Sequence, residues 1–130
     1  MIKFTKERIL LLYQMMVEAT GGTFGIRDET MLDSAIEAAY QTFDGVELFP
    51  TKLEKAARLG FGLVSNHPFI DGNKRIGIYV MLSFLEVNGI VLEFTDAEIE
   101  DMALGIAAGK YNYKDILESL NRKSSLVFHK

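Results

Sequence analysis

No cysteine occurs in the 130 residues, which excludes a disulfide framework and any thiolate metal site. A chain without disulfides suits a reducing compartment, so the expected location is cytoplasmic. No apolar run approaches the roughly 18 residues that a bilayer-spanning helix needs. The longest lies over residues 76–85 and stops at Glu86. The opening Met1-Ile2-Lys3-Phe4-Thr5-Lys6-Glu7 lacks the apolar core of a secretory signal. Basic residues are not in excess either. A net charge of -4 and a pI near 5.2 argue against a general nucleic-acid surface, so any phosphate site has to be locally cationic. There is no repeat, low-complexity tract or linker, and a 48% hydrophobic content is ample for a core. The length suits one domain over residues 1–130.

The pattern that is present is helical. Thr5 caps a helix to about residue 19, with Ile9, Leu12, Tyr13, Met16 and Val17 on one face. Gly21-Gly22-Thr23-Phe24-Gly25 breaks it. Asp28 caps a second helix to about residue 40, with Met31, Leu32, Ala35, Ile36 and Ala39 inward. Residues 41–50 form a connection. Thr51-Lys52-Leu53-Glu54 is a capping box that opens a third helix to about residue 66. A fourth runs from about residue 73 to 87 and stops at Asn88-Gly89. Because it is apolar nearly all round, it is expected to be central and buried. Residues 90–94 read as a short extended stretch. Thr95-Asp96-Ala97-Glu98 is a second capping box, for a fifth helix to about residue 108, and Asn112 caps a sixth to about residue 121. The tail, residues 122–130, is expected to be partly loose. The fold class is therefore all-α, a compact six-helix domain.

The chemistry concentrates in His67-Pro68-Phe69-Ile70-Asp71-Gly72-Asn73-Lys74-Arg75, at the mouth of the fourth helix. A helix start offers unpaired backbone N–H groups and the positive end of the dipole. Asp71-Gly72-Asn73 is a turn whose small residues let a phosphate approach the backbone, as in an anion-binding nest. Arg75 adds a bidentate phosphate contact and Lys74 a point charge. Asp71 is a hard oxygen ligand suited to Mg²⁺. His67 is of the residue type that accepts a hydroxyl proton near neutral pH. Taken singly, each has a plain reading: a loop histidine, a turn, a solvated basic pair. Together, each is placed to serve one phosphate.

His-Pro-Phe-x-Asp-Gly-Asn-Lys-Arg resembles the motif of the Fic family, in the variant of the Doc, or death-on-curing, toxins. Gly25-Ile26-Arg27-Asp28, Asn88-Gly89 and Ala107-Ala108-Gly109 are similar to that family too, and the length fits a bare Fic core. The resemblance implies the six-helix Fic/Doc-type fold, with a buried central helix after the motif loop. It also implies an enzyme that transfers part of a nucleotide onto a protein hydroxyl, with ATP as co-substrate and Mg²⁺ as cofactor. By motif position, His67 is then the base and Asp71 the metal ligand. Gly72 and Asn73 form the anion nest, and Lys74 and Arg75 are the phosphate-binding cations.

Family members that transfer AMP usually carry Gly after the motif Asn and a second Arg three residues beyond the first. Here Lys74 and Ile78 stand at those positions, which matches the Doc pattern. That pattern implies γ-phosphoryl transfer to a Ser/Thr hydroxyl of a cytosolic protein, of the elongation factor Tu class, with arrest of translation. AMP transfer is the alternative within the class. The alternative of another class is a non-catalytic Fic-fold binding module in a toxin–antitoxin repressor complex. Intact His67, Asp71, Asn73 and Arg75 weigh against it. The inhibitory Ser/Thr-x-x-x-Glu-Gly or Asn string of self-inhibited Fic proteins does not occur. The resemblance therefore implies a small antitoxin whose disordered segment folds onto the chain, with neither a membrane nor a nucleic acid as direct partner. Residues 21–27 are either a flap for target side chains or a plain connection. Tyr40, Phe43 and Phe49 are expected to pack rather than line the site, and His129 to have no catalytic part.

Overall fold

Among the described residues, 1–128 of the computed structural model (side chains to residue 125), six helices carry the architecture. They are α1 (Lys6–Thr20), α2 (Glu29–Ala39), α3 (Lys52–Asn66), α4 (Asn73–Val87), α5 (Asp96–Ala107) and α6 (Tyr113–Phe128). The starts follow from local chemistry. Thr5, Asp28, Thr51 and Thr95 each accept a backbone N–H, and the last two complete capping boxes with Glu54 and Glu98. Asn112 and Asp115 exchange the same pair of bonds at the start of α6. Gly21, at φ 77, ends α1 in the left-handed region.

The connection over residues 41–50 is more ordered than expected. β1 (Thr42–Phe43) and β2 (Val46–Glu47) pair antiparallel around Asp44-Gly45, both at positive φ. Asp-Gly is a strong two-residue hairpin signal. The buried Lys55 holds the hairpin's far end, pairing with Glu47 at 2.9 Å and donating to the Phe49 carbonyl. Tyr40 and Phe49 do pack. The Tyr40 hydroxyl accepts from the Phe4 N–H at 2.8 Å, and Phe49 meets Tyr113 edge-on. Phe43 is exposed on the hairpin instead. Residues 90–94 form no strand, Met31 is exposed, and α6 continues through the segment expected to be loose. His129 lies outside the described residues.

The centre is shared between two helices. α4 buries Ile76, Ile78, Val80, Met81, Phe84 and Leu85, yet exposes Lys74, Arg75 and Tyr79. α3 touches α2, α4, α5 and α6. Their crossing is close because a Cβ at Gly77 would lie 2.4 Å from Val64 Cγ2 and 3.1 Å from the Gly60 carbonyl oxygen. The far end of α4 is tied down by the buried Asn88, whose amide bonds the Ile2 backbone twice and the Phe84 carbonyl once. The start of α4 is thereby fixed at the surface, on a helix held along its length.

Candidate active site

The motif occupies the turn between α3 and α4. His67 ends α3 with φ 51, a left-handed conformation that few side chains adopt. Arg27 supports it: Nε donates to the His67 carbonyl at 2.6 Å and an Nη to the Asn66 carbonyl at 3.1 Å. These bonds satisfy carbonyls that a helix end leaves open. The Pro68 carbonyl accepts from the N–H groups of Arg27 and Asp28, at 2.7 and 3.0 Å. Ile26 pairs antiparallel with Phe69, and the Ile70 N–H donates to Gly25 at 2.9 Å. Residues 25–28 are thus bonded to the motif loop like a short strand.

Beneath the loop, Phe69 is fully buried and stacks on Tyr13 of α1 at 3.8 Å between centroids. The Tyr13 hydroxyl donates to the Asp71 carbonyl at 2.8 Å, with the Thr23 carbonyl at 3.1 Å. Burial raises its pKa above the ordinary tyrosine value, so it stays a proton donor. Sequence reasoning placed Tyr13 only in the core. The signal was available, because a buried tyrosine normally finds a partner for its hydroxyl. Arg27 carried no comparable signal.

Gly72 precedes α4 at φ 81, and a Cβ there would lie 2.8 Å from Met16 Cε. No side chain caps α4. Among the described residues the backbone N–H groups of Asn73, Lys74 and Arg75 meet no acceptor, the first bond back to Gly72 being made by Ile76. Lys74 and Arg75 are exposed and form no ion pair among the described residues. The start of α4 is therefore a locally cationic spot with open donors on an acidic chain.

The exposed Asp71 carboxylate meets the Thr23 N–H at 3.3 Å through one oxygen. That same oxygen lies 2.9 Å from where a Cβ at Gly22 would stand. No group of three His, Asp or Glu side chains gathers among the described residues. One carboxylate beside open phosphate donors fits Mg²⁺, which ordinarily combines one or two carboxylates with phosphate oxygens and water.

Asn73 is placed differently from the other candidate site residues. Its side chain is buried and bonded to the backbone of Phe69 in both directions, at 2.8 and 2.9 Å, and to His67 Nδ1 at 3.1 Å. What it leaves for an anion is its backbone N–H. The remaining candidate site residues, His67, Asp71, Gly72, Lys74 and Arg75, sit on one turn and the first turn of one helix.

Comparison with known proteins bears on the family. A profile of the Fic/DOC family matches residues 3–85, which spans α1 to α4 and the whole motif loop. A protein named Toxin Doc from Mycolicibacterium smegmatis is 36% identical over 91 residues, covering 68% of this chain and 70% of that protein. Protein kinase doc of Escherichia phage P1 is 28% identical over 122 residues, covering 89% and 90%. With the motif, the helix that presents it and the extent of the match in accord, this chain belongs to the Fic/DOC family.

Proposed function

We propose that this chain is a Doc-type toxin that transfers the γ-phosphoryl group of ATP to a Ser/Thr hydroxyl of a target protein. The observation that carries the reading is the start of α4. Three consecutive open N–H groups stand there with Lys74, Arg75 and Asp71, one turn away from His67. In the reaction, a target hydroxyl oxygen forms a bond to the γ-phosphorus in line with the bond to the β,γ-bridging oxygen. That bond breaks, ADP leaves, and the hydroxyl proton passes to His67. The open N–H groups and the two cations hold the phosphates in place, and positioning supplies most of the rate in this class of reaction. Asp71 would hold Mg²⁺, which when bound neutralises phosphate charge.

Lys74 and Ile78 favour the γ-phosphorus. Lys74 places a flexible cation where the AMP-transferring pattern has glycine. Ile78 is 2% exposed, so the position usually held by a second Arg presents no charge to the cleft. The name Protein kinase doc, borne by the phage relative, is consistent with this choice. The elongation factor Tu class is the proposed target.

A small antitoxin with a disordered segment is the proposed partner. An apolar groove beside Arg75, lined by Met15, Met16, Ala19, Ile78, Tyr79 and Leu82, suits a segment that orders on binding. The deciding experiment incubates the purified chain and candidate target with ATP labelled at the α or the γ position. Label from γ alone, with a phosphate mass on the target, is expected. An AMP mass on the target would replace this reading with AMP transfer.

A further inference from the structure

The amide of Asn73 is fixed in one orientation. Its Oδ1 accepts from the Phe69 N–H at 2.8 Å, and its Nδ2 donates to the Phe69 carbonyl at 2.9 Å. Turning the amide over would set N–H against N–H and oxygen against oxygen, at a side chain only 3% exposed. The second hydrogen of Nδ2 therefore belongs to the remaining contact, His67 Nδ1 at 3.1 Å. A donor on that side requires a lone pair on Nδ1. In neutral imidazole one nitrogen accepts and the other carries the proton, and the bond made by one fixes the other.

We infer that Asn73 is a positioning residue that sets the tautomer of His67, and that the free chain holds the proton on Nε2. The inference goes beyond the reading of His67 as a base, and rests on it for its consequence. Nε2 makes no hydrogen bond among the described residues and is the nitrogen free to meet a substrate hydroxyl. With a proton already there, it cannot accept another. Base action through Nε2 needs the imidazole to leave the Asn73 amide and the proton to pass from Nε2 to Nδ1. Total protonation is unchanged by that exchange. The loaded site thus has to break a contact that the free site makes, and the resting chain presents a donor to the cleft where catalysis needs an acceptor.

The test reads the tautomer directly. The full chain, labelled with ¹⁵N in histidine and free of metal and nucleotide, is studied by long-range ¹H–¹⁵N correlation at about pH 8, where free imidazole is neutral. Loss of signals in His67→Ala assigns them. A protonated Nε2 and an unprotonated Nδ1 are expected. A mixture, as in unconstrained imidazole, or a proton on Nδ1 would overturn the inference. Asn73→Asp sets an acceptor opposite Nδ1 and should reverse the pattern, whereas a folded variant that keeps the proton on Nε2 also overturns it. If circular dichroism shows that variant unfolded, the wild-type spectrum decides alone. The spectrum is independent of which group is transferred. Unimpaired transfer by His67→Ala would remove the base reading and leave the tautomer assignment standing.

Discussion

At the residue scale, His67, the proposed base, and Tyr13, which supports the turn beneath it, answer to different measurements. His67→Ala is expected to lower phosphate transfer about 10² to 10⁴-fold, the usual contribution of a general base. Its side chain is exposed and the core beneath it is Phe69, so circular dichroism of the variant should match the wild type. Tyr13→Phe keeps the stack on Phe69 and removes the one hydroxyl proton that the Asp71 and Thr23 carbonyls share. Stability should fall by about 0.5–1.5 kcal/mol in urea unfolding, the net worth of one such bond. Transfer should fall as well, because the turn that carries Asp71 loses its tie to α1. Gly22→Ala presses on the Asp71 oxygen that accepts from Thr23. It should raise the Mg²⁺ concentration needed for half-maximal transfer while leaving the helical signal unchanged. An unaltered Mg²⁺ titration would detach residues 21–24 from the metal site. Of these residues the motif singled out His67 and Asp71 in the sequence. Tyr13 and Gly22 act across 58 and 49 positions of chain, a kind of contact that local pattern does not encode.

At the element scale, the helix starts were legible because capping is local: Thr5, Asp28, Thr51 and Thr95 all cap as their neighbours dictate. The end of α6 was not. Asn121-Arg122-Lys123-Ser124-Ser125 shows no apolar period, so the pattern stops there. The helix continues because Arg122 pairs with Glu118 one turn back and Lys123 reaches Glu98 of α5, each at 2.9 Å. The hairpin at residues 42–47 escaped for the opposite reason, since Asp44-Gly45 announces it but its strands are two residues long and exposed. The capping carboxylate of α5, which also reaches α6 through Lys123, has a pH signature. The Thr95 backbone bond, then Lys123, lower the Glu98 carboxyl pKa to about 2. A depressed carboxyl pKa contributes stability that is present above the unfolded value and lost as pH falls through the folded one. Between about 4.5 and about 2, Glu98→Gln should therefore flatten the fall of the thermal midpoint. A slope equal to the wild type's would show that the Thr95 bond and the Lys123 pair do not hold the carboxylate in solution.

At the scale of the whole molecule, the six-helix frame was legible because apolar faces at helical spacing find one another, and α3 with α4 at the centre is the packed result. Which residues make the closest approach was not legible, since a glycine in a helix reads only as a weak position. Gly77→Ala tests this frame: the added methyl meets Val64 and the Gly60 backbone, and overpacking of this kind costs about 1–3 kcal/mol. The loss should appear in the unfolding midpoint of the entire chain. At the same scale, expression of the chain alone is expected to arrest bacterial growth, and the His67→Ala chain to be harmless. Identical growth with both would favour a non-catalytic role.

The open start of α4 gives the molecule a built-in gauge of occupancy. The amides of Arg27, Asp28 and Ile70 are bonded to backbone carbonyls and should exchange slowly with deuterated water, whereas those of Asn73, Lys74 and Arg75 have no acceptor and should exchange fast. A phosphate seated on the helix would take up those three hydrogens and slow them together. Deuterium uptake at three neighbouring positions thus reports an anion, its affinity and its departure without any target protein, label or turnover. It would do so equally in a chain whose His67 has been removed.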